Sequence, residues 1–168
     1  LPLLINGLEK LEYRGYDSAG IAIINSETNC ISCNKAEGKL KNLISNLNDH
    51  NIPGTVGIGH TRWATHGKPE VKNAHPHTDS SGNIAVVQNG IIENFQDLKN
   101  KLEEEGIIFN SDTDTEVIPH LIQRELNTLS KLNLENNGST LLVAVRNVLS
   151  DLEGSYALAV LWSGAPTS

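Results

Sequence analysis

The chain has no basic stripe. Its 13 lysines and arginines are scattered among 20 acidic residues, for a net charge of −7. That argues against nucleic acid or an anionic membrane surface as a partner. No apolar run approaches the roughly 20 residues needed to cross a bilayer. The opening Leu1-Pro2-Leu3-Leu4 has neither the basic flank nor the small-residue cleavage site of a signal peptide. A cytoplasmic protein is the expectation. Cysteine is scarce, with Cys30 and Cys33 only. Their C-x-x-C spacing could suggest a redox pair or half a metal site. No second pair or Cys/His cluster follows at zinc spacing. Cys30-Ile31-Ser32-Cys33 also alternates as a strand does, so two inert strand residues and no metal are expected. The sequence has no repeats, no low-complexity segment and no internal linker.

What is present suits one globular domain. The 168 residues are 38% hydrophobic and 20% charged, enough for a real core. Leu3, Leu4, Leu8 and Leu11 recur at helical spacing, which predicts a helix over 2–12. Tyr13 to Gly20 reads as a shaped loop, since two glycines and Asp17-Ser18 interrupt it. Ile21 to Ile24 is a short buried strand, and Cys30 to Asn34 pairs back on it as a hairpin. Leu40, Leu43, Ile44 and Leu47 predict an amphipathic helix over 39–48. A strand runs from Val56 to His60. Lys68 to Asn83 is a long polar loop holding His75-Pro76-His77. Ile84 to Val87 is a strand, and Asn89-Gly90 is read as the turn from it into a helix over Phe95 to Glu105. Ile107 to Phe109 is a short strand. Ser111 to Glu116 caps a helix that continues through Leu126, where Pro119 is tolerable only in the first turn. Ser139 or Thr140 caps another, whose apolar face holds Leu142, Val145, Val148, Leu149 and Leu152. Tyr156 to Trp162 is a last strand. Interleaved strands and helices support a layered α/β or α+β domain and leave its topology open.

Four polar strand or loop ends could carry chemistry. Gly59 to Gly67 gathers two His, one Arg, one Trp and two Thr after an apolar run, which a core strand has no use for. The others are His75-Pro76-His77, Asn89-Gly90 and the Asp112/Asp114 segment. One Arg and one Asp in separate loops suit a ligand with an anionic and a cationic end, as an amino acid has. An Asn side chain beside a Gly N–H can stabilise an oxyanion in acyl transfer. Each has a plainer alternative. Asp112 and Asp114 could be helix caps, and Asn89-Gly90 a simple turn. His75 and His77 are better read as hydrogen-bonding residues than as metal ligands. Arg62 beside Trp63 could be a surface cation–π pair.

Taken together these stretches carry a resemblance. Tyr13-Arg14-Gly15-Tyr16-Asp17-Ser18-Ala19-Gly20, His60-Thr61-Arg62-Trp63-Ala64-Thr65-His66-Gly67, Ala74-His75-Pro76-His77, Asn89-Gly90-Ile91-Ile92-Glu93-Asn94 and Ser111 to Glu116 occur in order. They resemble the glutaminase (class II glutamine amidotransferase) domain of the glutamine–fructose-6-phosphate aminotransferases, the glucosamine-6-phosphate synthases. The resemblance covers Leu1 to about Trp162, leaving 163–168 as a tail, with the isomerase domain absent. It implies an α+β fold, a four-layer αββα sandwich of the N-terminal-nucleophile hydrolase type, here incomplete. It implies that Arg62 binds the carboxylate of L-glutamine and Asp114 its ammonium. Thr65 and His66 would line the pocket, with Trp63 packed beside it. Asn89 and the Gly90 N–H would form the oxyanion hole. No cofactor is implied. Ammonia would pass to fructose 6-phosphate in the isomerase domain, and the whole enzyme would be a homo-oligomer.

The sequence departs from the family pattern in three places. The N-terminal cysteine nucleophile is not found, and by that pattern about ten residues before Leu1 are missing. A chain that cannot hydrolyse glutamine alone is therefore expected. Gln88 stands where many members have His. The chain also ends soon after Trp162. A glutamine- or glutamate-binding module without catalysis, or a structural fragment, is the alternative.

Overall fold

The computed structural model describes residues 1–47, 52–63 and 68–164. Five helices and six strands are described: α1 (Pro2–Leu11), β1 (Ser18–Ile24), β2 (Ile31–Glu37), α2 (Leu40–Leu47), β3 (Gly57–Arg62), β4 (His77–Thr78), β5 (Ile84–Ile92), α3 (Phe95–Glu104), α4 (Val117–Lys131), α5 (Gly138–Leu149) and β6 (Gly154–Trp162). They build two three-stranded antiparallel sheets, ordered β2-β1-β3 and β4-β5-β6.

The alternation of side chains along each strand explains the layering. In β1, Ala19, Ile21 and Ile23 face one way and pack with Leu8 of α1 and Leu40, Leu43 and Leu47 of α2. Ala22 and Ile24 face the other way and meet Ala85 of β5 and Leu161 of β6. Every residue of β1 is buried because both of its faces are covered. In β5, Ile84 and Val86 face the opposite helix layer, with Val117, Ile118, Leu121 and Ile122 of α4 and Ala144 and Val148 of α5. The order of layers is helix, sheet, sheet, helix. The residues between the sheets are apolar, Ala22, Ile24, Ala85 and Leu161, so the sheets can pack face to face.

Several expectations are corrected. β1 begins at Ser18, inside the stretch read as a loop. β3 continues past His60 to Arg62. Asn89-Gly90 is not a turn into a helix, because β5 runs on to Ile92 while β6 pairs with it throughout, Asn89 opposite Ala157 and Gly90 opposite Tyr156. Gly90 has φ 112°, and a Cβ there would lie 2.0 Å from the carbonyl oxygen of Ser155. Glycine is needed to stay in register past the site, not to turn. Ile107 to Phe109 pairs with no described strand; Ile107 N–H closes the end of α3 on the carbonyl of Leu102, and Ile107 and Phe109 pack on the core as loop residues. Ser111 to Glu116 precedes α4 rather than forming its first turn, and Pro119 falls at the third helical position, where its missing N–H costs nothing. The cap of α5 is Asn137, which accepts from Thr140 N–H at 3.0 Å. The inner face of α5 holds Ala144 and Val148, whereas Leu142 and Leu149 are exposed. A 3₁₀ turn (Val71–Asn73) and β4 lie inside the 68–83 stretch read as loop.

Candidate active site

A cavity of about 590 Å³ is lined by residues of both sheets. Its lining includes His60, Arg62 and Trp63 from β3 and its end, Asn89 and Gly90 from β5, and Asp114 from the loop before α4. Ile58, His60 and Arg62 share the face of β3 that looks toward the other sheet. On β5, Ala85, Val87 and Asn89 do the same. Both strands therefore change from apolar to polar along their length, and the polar ends meet.

Arg62 is only 4% exposed. Its Nη1 donates to the carbonyl of Lys68 at 3.4 Å. Burial draws the guanidinium pKa down, while Asp17 and Asp114 nearby pull it up. A guanidinium stays cationic at neutral pH through such a shift. Asp114 is buried as well, and its Oδ2 accepts the Ile92 N–H at 2.8 Å. This bond ties the acid to β5, next to Asn89 and Gly90. Asp112 points elsewhere: it pairs with Lys72 at 2.8 Å and accepts from Asn73 at 3.3 Å. The Trp63 ring lies edge-on to Tyr16, centroids 5.4 Å apart. Thr65 and His66 lie outside the described residues.

Behind the cavity is a buried polar layer. His75 Nε2 is 2.8 Å from Thr115 Oγ1, and the Thr115 hydroxyl donates to Gln88 Oε1 at 2.7 Å. That hydroxyl has one proton, so His75 must donate. His77 Nε2 is 3.0 Å from Thr113 Oγ1, which is 2.9 Å from Ser111 Oγ. Ser111 in turn donates to the Glu116 carboxylate, which also accepts the N–H groups of Asn110 and Ser111. Both histidines make the side-chain hydrogen bonds expected of them. Burial pushes His75 well below its usual pKa, helped by His77 and His60. Burial likewise lowers His77 to about 3, with Lys35 adding to the effect. Burial alone would raise Glu116, but His120, Asn110 and Ser111 hold it at about 2. The layer is a negative anchor under neutral imidazoles.

Four buried polar atoms at this end have no hydrogen-bond partner among the described residues: Ser18 Oγ, His60 Nδ1, His75 Nδ1 and Gln88 Nε2. Unsatisfied groups are rare in packed interiors and concentrate where ligands or solvent bind. The cysteines are elsewhere. Neither lines the cavity. Cys33 lies 3.9 Å from the Pro76 carbonyl, and burial pushes its thiol up. Sequence reasoning assigned no role to His60, although period-two alternation from Arg62 already puts it on the same face.

This geometry can hold a zwitterion beside an amide and a carboxamide donor, as an amide-transferring enzyme requires. The model of the glutamine amidotransferase domain family matches residues 60–166, and the chain belongs to that family. It is 53% identical to the glutamine–fructose-6-phosphate aminotransferase [isomerizing] of Thermosynechococcus vestitus over 164 residues, 98% of this chain and 25% of that protein. It is also 53% identical to the protein of the same name from Gloeobacter violaceus, over 99% of this chain and 26% of that one. The chain thus spans about a quarter of the length of these relatives. Among solved structures it is similar to a glutamine phosphoribosylpyrophosphate amidotransferase from B. subtilis, with TM-score 0.72 and 30% identity over 95% of this chain and 32% of that one. A structure titled the allosteric regulatory enzyme of purine biosynthesis matches with TM-score 0.75 and 31% identity, over 96% and 33%. The expected α+β sandwich of the N-terminal-nucleophile type is what these structural neighbours share with the chain.

Proposed function

We propose that the cavity binds L-glutamine and is the amide-hydrolysing site of a glutamine amidotransferase. The observation that carries this is the convergence of Arg62, Asp114, Asn89 and Gly90 on one cavity from both sheets. Arg62 takes the α-carboxylate in a two-pronged contact. Asp114 takes the α-ammonium. Trp63 walls the entrance; Thr65 and His66, expected to contact glutamine, lie outside the described residues. The side-chain amide then lies toward Asn89 and Gly90. Attack by a thiolate on the amide carbon puts negative charge on its oxygen, where the Asn89 N–H and the Gly90 N–H stabilise it. Collapse expels the protonated nitrogen as ammonia and leaves a thioester, which water hydrolyses to glutamate. Residues 1–162 form this domain's share of the chain.

Neither cysteine faces the cavity, so the nucleophile of this reading is not among these 168 residues. In the whole protein ammonia is passed to fructose 6-phosphate, giving glucosamine 6-phosphate in the cytoplasm of the cell, in a homo-oligomer. The placement of the cysteines also favours a second reading for the chain by itself: it holds glutamine or glutamate without turning it over.

Calorimetry with L-glutamate tests the site. Arg62→Ala is expected to weaken binding at least about 30-fold, the minimum for losing a partner of a buried charge. Equal affinity in both proteins, or none in either, overturns the reading. Release of glutamate from glutamine is expected only when a cysteine-bearing extension precedes Leu1. Release by the 168 residues alone would overturn the placement of the nucleophile.

A further inference from the structure

His60 sits on β3 between Ile58 and Arg62, at the level of Gly20 on β1. Its Nε2 lies 2.8 Å from Asn89 Oδ1 on the opposite sheet. This bond joins β3 to β5 across the two sheets. We propose that His60 is a positioning residue that decides which end of the Asn89 carboxamide faces the cavity. The inference rests on the reading of Asn89 as an oxyanion donor.

The argument is one of hydrogen-bond inventory. A carboxamide has an acceptor end and a donor end of nearly the same shape, so packing alone cannot tell them apart. Only the partner can. An amide oxygen accepts and never donates, so His60 must present an N–H at Nε2. The Asn89 NH₂ group is then turned away from His60, as a donor. In the alternative, a bare Nε2 would accept from Asn89, and the oxygen of Asn89 would be turned outward. A developing oxyanion would meet a negative dipole instead of two N–H groups. The tautomer of His60 therefore sets the sign of the field that Asn89 shows to substrate.

Two further observations favour the donating state. In it the other nitrogen, Nδ1, is a bare acceptor, and Nδ1 is buried with no partner among the described residues. An orphaned acceptor is tolerated better than an orphaned N–H donor. The ring is also held. It packs against His75, centroids 4.4 Å apart. His75 is fixed by Thr115 on one side, and its carbonyl oxygen would lie 2.1 Å from a Cβ on Gly20. The imidazole is thus held by His75 as well as by Asn89. Burial lowers its pKa, with Arg62 acting the same way against the Asn89 bond, so the neutral ring with one proton prevails near neutral pH.

The test is kinetic and spectroscopic. In the full-length enzyme hydrolysing glutamine, His60→Phe keeps the ring and removes the donor. It is expected to lower kcat about 10²-fold, as loss of an oxyanion donor does, with KM unchanged. His60→Gln offers an N–H at similar reach and is expected to recover kcat to within about tenfold of the parent. His60→Phe combined with Asn89→Ala should be no slower than Asn89→Ala alone, because the first residue acts through the second. A purely structural role would raise KM or add its loss to that of Asn89→Ala, and either result overturns the proposal. If His60→Phe fails to fold, ¹⁵N shifts of the labelled parent decide: a neutral His60 protonated at Nδ1 overturns the inference and one protonated at Nε2 supports it. An Asn89→Ala variant of undiminished kcat would refute the oxyanion reading itself, while the ¹⁵N result would still report which end of Asn89 His60 selects.

Discussion

The space between the two sheets has two unlike ends. At one end Ala22, Ile24, Ala85 and Leu161 meet, with Ile31 and Ile58 alongside. At the other, the same strands bring His60, Arg62 and Asn89 together, beside His75 and Asp114. The backbone scaffold is continuous through both. What changes over two or four residues is the chemistry of the inward-facing positions: Ile58, His60, Arg62 on β3, and Ala85, Val87, Asn89 on β5. The dry end brings the sheets into contact and stabilises the fold. The polar end buries groups that cost free energy unless partnered, and it holds four that are not. An apolar clamp at one end lets the other end keep a preorganised polar site.

The sharpest way to break this division is to damage the dry end and look at the polar one. Leu161→Ala should destabilise by about 2–5 kcal/mol, the usual cost of truncating a buried leucine. Urea denaturation would measure it. Glutamate affinity of the variant, measured where it is still folded, should match the parent. Lost affinity in a folded Leu161→Ala protein would mean that the two ends are not separable.

Acid should act on the polar end first. His75 and His77 are buried and neutral, with folded pKa values below the unfolded value of about 6.5. Below pH 6.5 the unfolded chain binds protons at these positions and the folded chain does not. Stability is therefore complete above that pH and is lost as pH falls, for His77 down to about 3. Each contributes a slope of about 1.4 kcal/mol per pH unit. Glu116 acts with the same sign, from its unfolded value near 4.5 down to about 2. Urea melts between pH 7 and pH 5 should show this loss, and His77→Gln should remove one proton's worth of slope. An unchanged slope in His77→Gln would show that His77 is not held neutral.

The two ends also differed in how far they could be read from sequence. Strong periodicity placed α1, α2 and α3 to within a residue or two, because each buries one apolar face, α1 and α2 in the core beside β1 and α3 in the core with α4. Asn89-Gly90 misled, since the dipeptide is common in turns and only the partner strand β6 reveals it as extended. Ile107 to Phe109 misled because a β-branched run needs a neighbour to become a strand, and none is described there. The cap of α5 was placed two or three residues late, since Asn, Ser and Thr all suit that position. For the site, the family motifs named Arg62, Asn89, Gly90 and Asp114, and the cavity collects all four. The layer beneath them was illegible. Thr113, Thr115, Gln88 and Glu116 become a network only when α4 docks behind β5.

The smallest expected effect draws the boundary of the polar end most finely. Asp112 and Asp114 are two residues apart, and both suit a helix start or an ammonium. The structure separates them. Asp114 is buried on the Ile92 N–H, whereas the Asp112 carboxylate is half in solvent beside Lys72 and Asn73. The Lys72 contact and the Asn73 bond hold Asp112 below its usual pKa, yet exposed pairs of this kind contribute little to stability or binding. Asp112→Asn should leave glutamate affinity within about twofold of the parent. Its backbone N–H still donates to Asn73 Oδ1, a bond the substitution does not touch. Asp114→Asn removes a charge from the cavity and should weaken binding far more. Calorimetry on the pair decides it: equal losses would place Asp112 inside the site and move the edge of the polar end outward to Lys72.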